Sequence, residues 1–178
     1  MNRKALFATI LMIQALFIGS AQAEDTSVTG LYLQGVIGTS FPDESDYSYV
    51  GGGLSIGYRA SSWFAAELQA MYQANTGGSG AAIGQYTVDT KLYPMPLLGG
   101  ASSHTTIEPY LTVGLGGLSS FSDSSDTETG FLWKIGLGTD WMLTEKWGFF
   151  AEYDYGEASS DSGEFSRSAV TLGTTFRF

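Results

Sequence analysis

Residues 131–142 read FLWKIGLGTDWM, and apolar side chains occupy most alternate positions of this stretch. Phe131 and Trp133 fall on one face of an extended chain, while Lys134 and Asp140 fall on the other. Successive side chains of a β-strand point to opposite sides, so this two-residue period predicts a strand with one apolar and one polar face. A soluble β-sandwich alternates in the same way, so the rest of the chain must decide which face is turned inward.

The same pattern recurs in eight runs that are bounded by turn residues. The runs are 29–38, 49–58, 63–73, 83–93, 107–118, 131–142, 147–156 and 167–178. No segment after the N-terminal one is an uninterrupted apolar stretch of the roughly 20 residues that a transmembrane helix needs. We therefore predict an all-β chain that forms an eight-stranded, antiparallel, up-and-down transmembrane β-barrel.

The charged residues decide between a sandwich and a barrel, because they share the polar face of the runs. They are Glu67, Asp89, Lys91, Glu108, Lys134, Asp140, Glu152 and Asp154. A polar lumen satisfies such groups and lipid does not. We expect these eight residues to line the lumen, either as a salt-bridge network that plugs it or as a polar conduit. Eight strands leave an interior that side chains just fill, which favours the plug.

The apolar faces carry aromatic residues toward both ends of the runs, as a lipid-facing barrel wall does. One predicted band consists of Trp63, Phe64, Tyr93, Trp141, Trp147, Phe149, Phe176 and Phe178. The other consists of Tyr49, Tyr72, Phe131, Trp133, Tyr153 and Tyr155. The two bands predict an apolar zone between two membrane interfaces.

The connections between the runs alternate in character. Those at 39–48, 73–82, 119–130 and 157–166 are long and rich in Gly, Ser and acids, whereas 59–62 and 143–146 are short and 94–106 is long. Outer-membrane barrels have short periplasmic turns and longer extracellular loops, so we expect the first set outside. Its acids are Asp43, Glu44, Asp46, Asp123, Asp126, Glu128, Glu157, Asp161 and Glu164. They are compatible with Ca²⁺ binding, with a basic partner, or with plain solvation of the loops.

The N-terminus predicts export. Arg3 and Lys4 precede a short apolar run, and small residues end at Ala23, which is the three-part pattern of a secretory signal peptide. We expect residues 1–23 to be removed and residues 24–178 to form one domain; a membrane anchor helix is the alternative, but the run is short for it. The remaining domain holds six basic and eighteen acidic residues, a net charge of −12, which disfavours nucleic acid as a partner. The chain has no cysteine, so no disulfide stabilises it.

The last eight residues read TLGTTFRF. Thr171, Gly173, Phe176 and the terminal Phe178 match the C-terminal signal that the assembly machinery of outer-membrane barrels recognises. With the eight runs, the chain resembles the small eight-stranded outer-membrane barrels, a group that includes the OmpA transmembrane domain, OmpX and the opacity-type porin family. The resemblance implies an outer-membrane location, contact with lipid and lipopolysaccharide, and passage through the barrel-assembly machinery. Its members differ in activity, so it implies little about chemistry.

Few residues indicate catalysis or a cofactor. Glycine pairs such as Gly114 and Gly116 lie within a predicted strand and lack the helix and lysine of a phosphate-binding loop. His104, the single histidine, falls in the 94–106 connection beside Ser102 and Ser103, and adjacency alone does not make a catalytic pair. We predict no cofactor, no metal and no enzymatic activity. The expected function is a surface protein whose loops meet the environment or a host, with a small passive channel as the alternative.

Overall fold

A computed structural model describes residues 29–43, 47–77, 80–94, 107–121, 128–160 and 163–178. Eight strands account for nearly all of them: β1 Gly30–Pro42, β2 Tyr49–Ser61, β3 Phe64–Asn75, β4 Ala82–Leu92, β5 Ile107–Phe121, β6 Glu128–Met142, β7 Trp147–Ser160 and β8 Gly163–Arg177. The predicted signal peptide and His104 lie outside the described residues.

The strands form one closed barrel in chain order. Every neighbouring pair is antiparallel, and β1 closes the ring by pairing with β8 from Tyr32↔Arg177 to Pro42↔Arg167. Among the described strands, closure leaves no unpaired sheet edge, which satisfies the main-chain groups without solvent. The predicted eight-stranded barrel is confirmed.

The two ends of the barrel differ in their connections. The loop end carries the β1–β2, β3–β4, β5–β6 and β7–β8 connections, and the turn end carries the other three. No helix within the described ranges is long and apolar enough to span a membrane.

The predicted ends of several strands are wrong at the loop end, where the strands continue further than the sequence pattern does. The 157–166 segment is not a loop, because Glu157 pairs with Ser166 and Ser160 pairs with Gly163. Strands β5 and β6 likewise continue through Ser120↔Glu128. Main-chain pairing does not require alternating hydrophobicity, so the hydrogen-bond ladder extends beyond the point where the apolar pattern stops.

The wall is apolar outside and charged inside. Large outward side chains are widely exposed, among them Ile37 at 64%, Leu54 at 61% and Leu137 at 61%, whereas Lys91 and Lys134 are 2% and 1% exposed. A soluble sandwich would bury the first group and expose the second. The arrangement is therefore that of a wall that faces hydrocarbon.

Three predicted band aromatics do not face lipid. Tyr93 is 3% exposed and points into the barrel, where its hydroxyl donates to Asp140. Tyr49 packs against a buried apolar cluster, and Phe64 is only 1% exposed. The inward residues of β2 and β4 have odd numbers, as Tyr49 and Tyr93 do. The alternation of side chains therefore places both tyrosines inside when it is extended to the strand ends.

Lumen glycines make room for large rings. The Tyr32 ring lies over Gly57 and the Tyr110 ring over Gly138, so that a Cβ at either glycine would collide with the ring. These glycines let an aromatic side chain lie across the narrow interior.

The charged interior as candidate functional site

The interior is built from the inward positions of all eight strands, which stack in successive levels between the two ends. All eight predicted lumen residues point inward. Seven of them are at most 5% exposed, and Glu108, at the turn end, has a side chain that is 14% exposed.

At the turn end, Glu108 binds two arginines. Arg59 approaches the carboxylate with both terminal nitrogens, at 2.8 and 3.1 Å, and Arg177 lies 3.2 Å from Oε2. A bidentate guanidinium–carboxylate pair is among the strongest side-chain hydrogen-bond arrangements. The Arg59 guanidinium also lies 3.9 Å above the Tyr93 ring, which joins this level to the next.

The next level combines aromatic rings with two carboxylates. The Tyr93 hydroxyl donates to Asp140 over 2.8 Å, and the Tyr32 hydroxyl donates to Glu67 over 3.0 Å. Tyr93 and Tyr110 pack with ring centroids 5.6 Å apart. The rings pack across the interior, and the hydroxyls of Tyr93 and Tyr32 satisfy buried acids.

Lys91 crosses the lumen at the same height. Its Nζ lies 2.8 Å from Glu67 Oε2 and donates to Gln34 Oε1 over 3.2 Å. The ring centroids of Tyr110 and Phe150 lie 4.8 and 5.3 Å from the ammonium nitrogen. Opposite charge, amide and rings together replace the water that this ammonium loses on burial.

Lys134 lies between two acids nearer the loop end. Its Nζ is 3.0 Å from Asp89 Oδ2, 3.6 Å from Glu152 Oε1 and 3.3 Å from Gln69 Oε1. Both lysines thus lie within 4 Å of a lumen carboxylate from another strand. Removing one partner of such a buried pair is costly, because the other partner remains charged and unsolvated.

Arg167 forms the last charged level toward the loop end. It lies 3.4 Å from Asp154 and donates to the Ser40 hydroxyl over 2.9 Å, and Ser40 donates in turn to Gln73 over 2.7 Å. Nearer the loop end lies an inward apolar cluster of Ile83, Leu118, Leu132 and Ala158, with Tyr49 packed against it.

The sequence pattern places Tyr32, Tyr110 and Arg177 on the polar face of their runs but does not assign them to the charge network. It does not predict Arg59 or Arg167 in the lumen, and it places Tyr93 in the lipid-facing band. Arg59 and Arg167 stood at the predicted ends of their runs and were assigned to a turn and a strand start. Both keep the parity of the inward residues beside them, Gly57 for Arg59 and Ala169 for Arg167. Extending the alternation by two residues therefore predicts that both arginines point inward.

The four predicted assembly-signal residues lie on β8 and at its end. Thr171 is buried in the lumen, and Gly173 lies under the Phe150 ring. Phe176 packs against Trp147 and Phe178, with centroid separations of 4.7 and 5.1 Å, and Phe178 is 74% exposed. The described part of the chain has no group of three or more His, Cys, Asp or Glu side chains placed to hold a metal ion.

The fold and the interior define a class: a small transmembrane β-barrel with an apolar outer wall and a lumen filled by ion pairs. A family model described as "Outer membrane protein beta-barrel domain" matches residues 9–178. The chain belongs to this family and is a bacterial outer-membrane protein. Comparison with curated protein sequences gives no match.

Solved structures share the fold at low identity. Neisserial surface protein A is 13% identical with a TM-score of 0.69, and the match covers 84% of this chain and 97% of that one. The N-terminal barrel of Pseudomonas aeruginosa OprF is 18% identical with a TM-score of 0.52, over 83% and 99% of the two chains. Yersinia pestis Ail, in complex with the heparin analogue sucrose octasulfate, is 13% identical with a TM-score of 0.50, over 84% and 97%. At these identities the likeness extends to the fold alone.

Proposed function

We propose that this protein is a closed, non-enzymatic scaffold of the outer membrane that presents its acidic loops at the cell surface. The observation that carries the proposal is the filled lumen: at each charged level a cation from one strand meets a carboxylate from another. The proposal extends to removal of residues 1–23 on export, to the loop end facing outward among lipopolysaccharide, and to assembly through the terminal signal at Phe176 and Phe178.

The filled lumen supports a scaffold over a channel. Lys91, Lys134 and Arg167 lie at successive heights, and each is at most 2% exposed. A water-filled bore would leave these groups solvated, as the lumen of larger porins does. In this barrel, aromatic rings and neighbouring carboxylates take the place of water around them, and this supports a lumen that is closed to ions.

The loops support a basic partner. The connections at the loop end, 43–48, 76–81, 122–127 and 161–162, contain no Lys or Arg and hold six acids, among them Asp43 and Asp126. Glu128, Glu157 and Glu164 lie on the strand ends beside them. Glu44, Asp46, Asp123, Asp126 and Asp161 lie outside the described residues, as does the side chain of Glu164. A surface with acids and no cations attracts positively charged ligands and repels polyanions. We therefore do not expect this chain to bind a sulfated polyanion such as the sucrose octasulfate in the Ail complex.

Planar-bilayer recording on the refolded barrel tests the scaffold. We expect no unit conductance steps from protein whose insertion is shown by heat-modifiable migration and protease protection. Reproducible steps from the unaltered barrel would instead support the passive channel, which is the alternative function.

Retention on immobilised polylysine tests the partner chemistry. Vesicle-inserted barrel should be retained at low salt and released as the ionic strength rises, and Asp123→Asn with Asp126→Asn and Glu128→Gln should weaken retention. Glu145→Gln is the matched control, because this acid lies in the β6–β7 connection at the turn end. Equal retention of both variants would reject the loops as the charged surface.

A further inference from the structure

The interior of the barrel changes from charged to apolar near the loop end. Midway along β6, Lys134 points inward and Ile135 outward, and Ile135 is 52% exposed. Two positions nearer the loop end, Leu132 points inward and is fully buried. On the neighbouring strand, Ala158 is 1% exposed inside, while Glu157 lies on the outer face.

Glu157 shows where the hydrocarbon ends. Its carboxylate accepts a hydrogen bond from the Trp133 indole Nε1 over 3.2 Å on the outer face of β6 and β7. An outward carboxylate is not tolerated within the acyl chains, and an indole N–H is typical of the membrane interface. The apolar residues inside the barrel at this height therefore lie level with headgroups and water.

A buried apolar cluster from five of the eight strands lies across the interior at this height. Its members are Ile83 on β4 (6% exposed), Leu118 on β5 (4%), Leu132 on β6 (0%) and Ala158 on β7 (1%). Tyr49 on β2 packs against them. The polar levels begin directly beneath: Lys134 is the next inward residue below Leu132, and Gln85, 3% exposed, is the next below Ile83. At the turn end, by contrast, the Arg177 and Glu108 side chains are 20% and 14% exposed.

We propose that Tyr49, Ile83, Leu118, Leu132 and Ala158 form an apolar seal that closes the outer mouth and separates the ion network from the external medium. The proposal rests on the closed lumen of the proposed function. At the loop end, the apolar residues rather than the ion pairs close the lumen. An apolar constriction excludes water and ions by dewetting. The network then meets water from the turn end alone.

The absence of cysteine from the chain allows a direct test by thiol labelling. Gln85→Cys reports on the lumen directly beneath the seal, and Thr129→Cys reports on an exposed position at the loop end of β6. A methanethiosulfonate reagent carrying a trimethylammonium group is added to the two folded variants, and the labelling rates are compared. We expect Gln85→Cys to react about 100-fold more slowly than Thr129→Cys, because a buried thiol reacts through rare local openings.

Opening the seal should abolish this protection. Leu118→Ala with Leu132→Ala, in the Gln85→Cys background, should raise the labelling rate of the lumen thiol by about tenfold or more. Leu137→Ala is the matched control: it removes the same side chain from the lipid face of β6, where Leu137 is 61% exposed, and should leave the rate unchanged. If the double variant does not fold, Leu132→Ala alone should give a smaller rise.

Two results would overturn the seal. One is a Gln85→Cys barrel with an intact seal that reacts as quickly as Thr129→Cys; the other is a set of seal variants whose lumen thiol reacts no faster than in the Leu137→Ala control. Rapid labelling of Gln85→Cys in a barrel that shows no conductance would reject the seal and keep the closed scaffold. Conductance steps from the unaltered barrel would reject the scaffold itself.

Discussion

Replacing Lys134 with Met should destabilise the barrel strongly, because Lys134 neutralises two buried acids at once. Its ammonium lies 3.0 Å from Asp89 and 3.6 Å from Glu152, with all three side chains at most 4% exposed. Methionine has nearly the same length, so packing is retained and the lost charge dominates. Breaking one buried pair costs about 3–5 kcal/mol, and we expect a loss of unfolding free energy in that range.

Urea unfolding of lipid-inserted protein, followed by tryptophan fluorescence and heat-modifiable migration, measures this loss. Adding Asp89→Asn and Glu152→Gln to Lys134→Met should recover most of the stability, because no uncompensated charge then remains. Lys146→Met, at an exposed position of the β6–β7 connection, should change stability by less than about 0.5 kcal/mol. A loss below about 1 kcal/mol for Lys134→Met, or no recovery in the triple variant, would refute the assignment of a buried, paired lysine.

Three further predictions concern packing, assembly and orientation. Gly138→Ala places a methyl group against the Tyr110 ring and should cost about 1–3 kcal/mol in the same unfolding assay, and Tyr110→Ala in that background should remove the clash. Deleting Phe178, whose ring packs on Phe176, should sharply lower the yield of heat-modifiable barrel in the outer membrane, and a normal yield would reject the terminal signal. A protease-cleavable tag inserted within 122–127 should be cut on intact cells and one within 143–146 should not; the reverse pattern would invert the proposed orientation.

The sequence by itself determined the architecture and the division of side chains between the two faces. The alternation in residues 131–142 and the seven other runs predicts each strand, because a two-residue period follows from the geometry of extended backbone. The same alternation, combined with the position of the acids and lysines, predicts a charged interior, since hydrocarbon excludes such groups. The count of eight strands and the polar inner face, both read from the sequence, are enough to predict this class of barrel.

Only the tertiary structure decided which charges meet and how the lumen is closed. Glu67 and Lys91 lie on adjacent strands, but Arg59 and Glu108 are brought together across the barrel, by closure and register that local pattern does not encode. The strand ends follow from main-chain pairing, which continues where the apolar pattern stops. The change from a charged to an apolar interior at Leu132 depends on which residues share a height in the closed barrel, and that is set by the stagger between strands rather than by any single run.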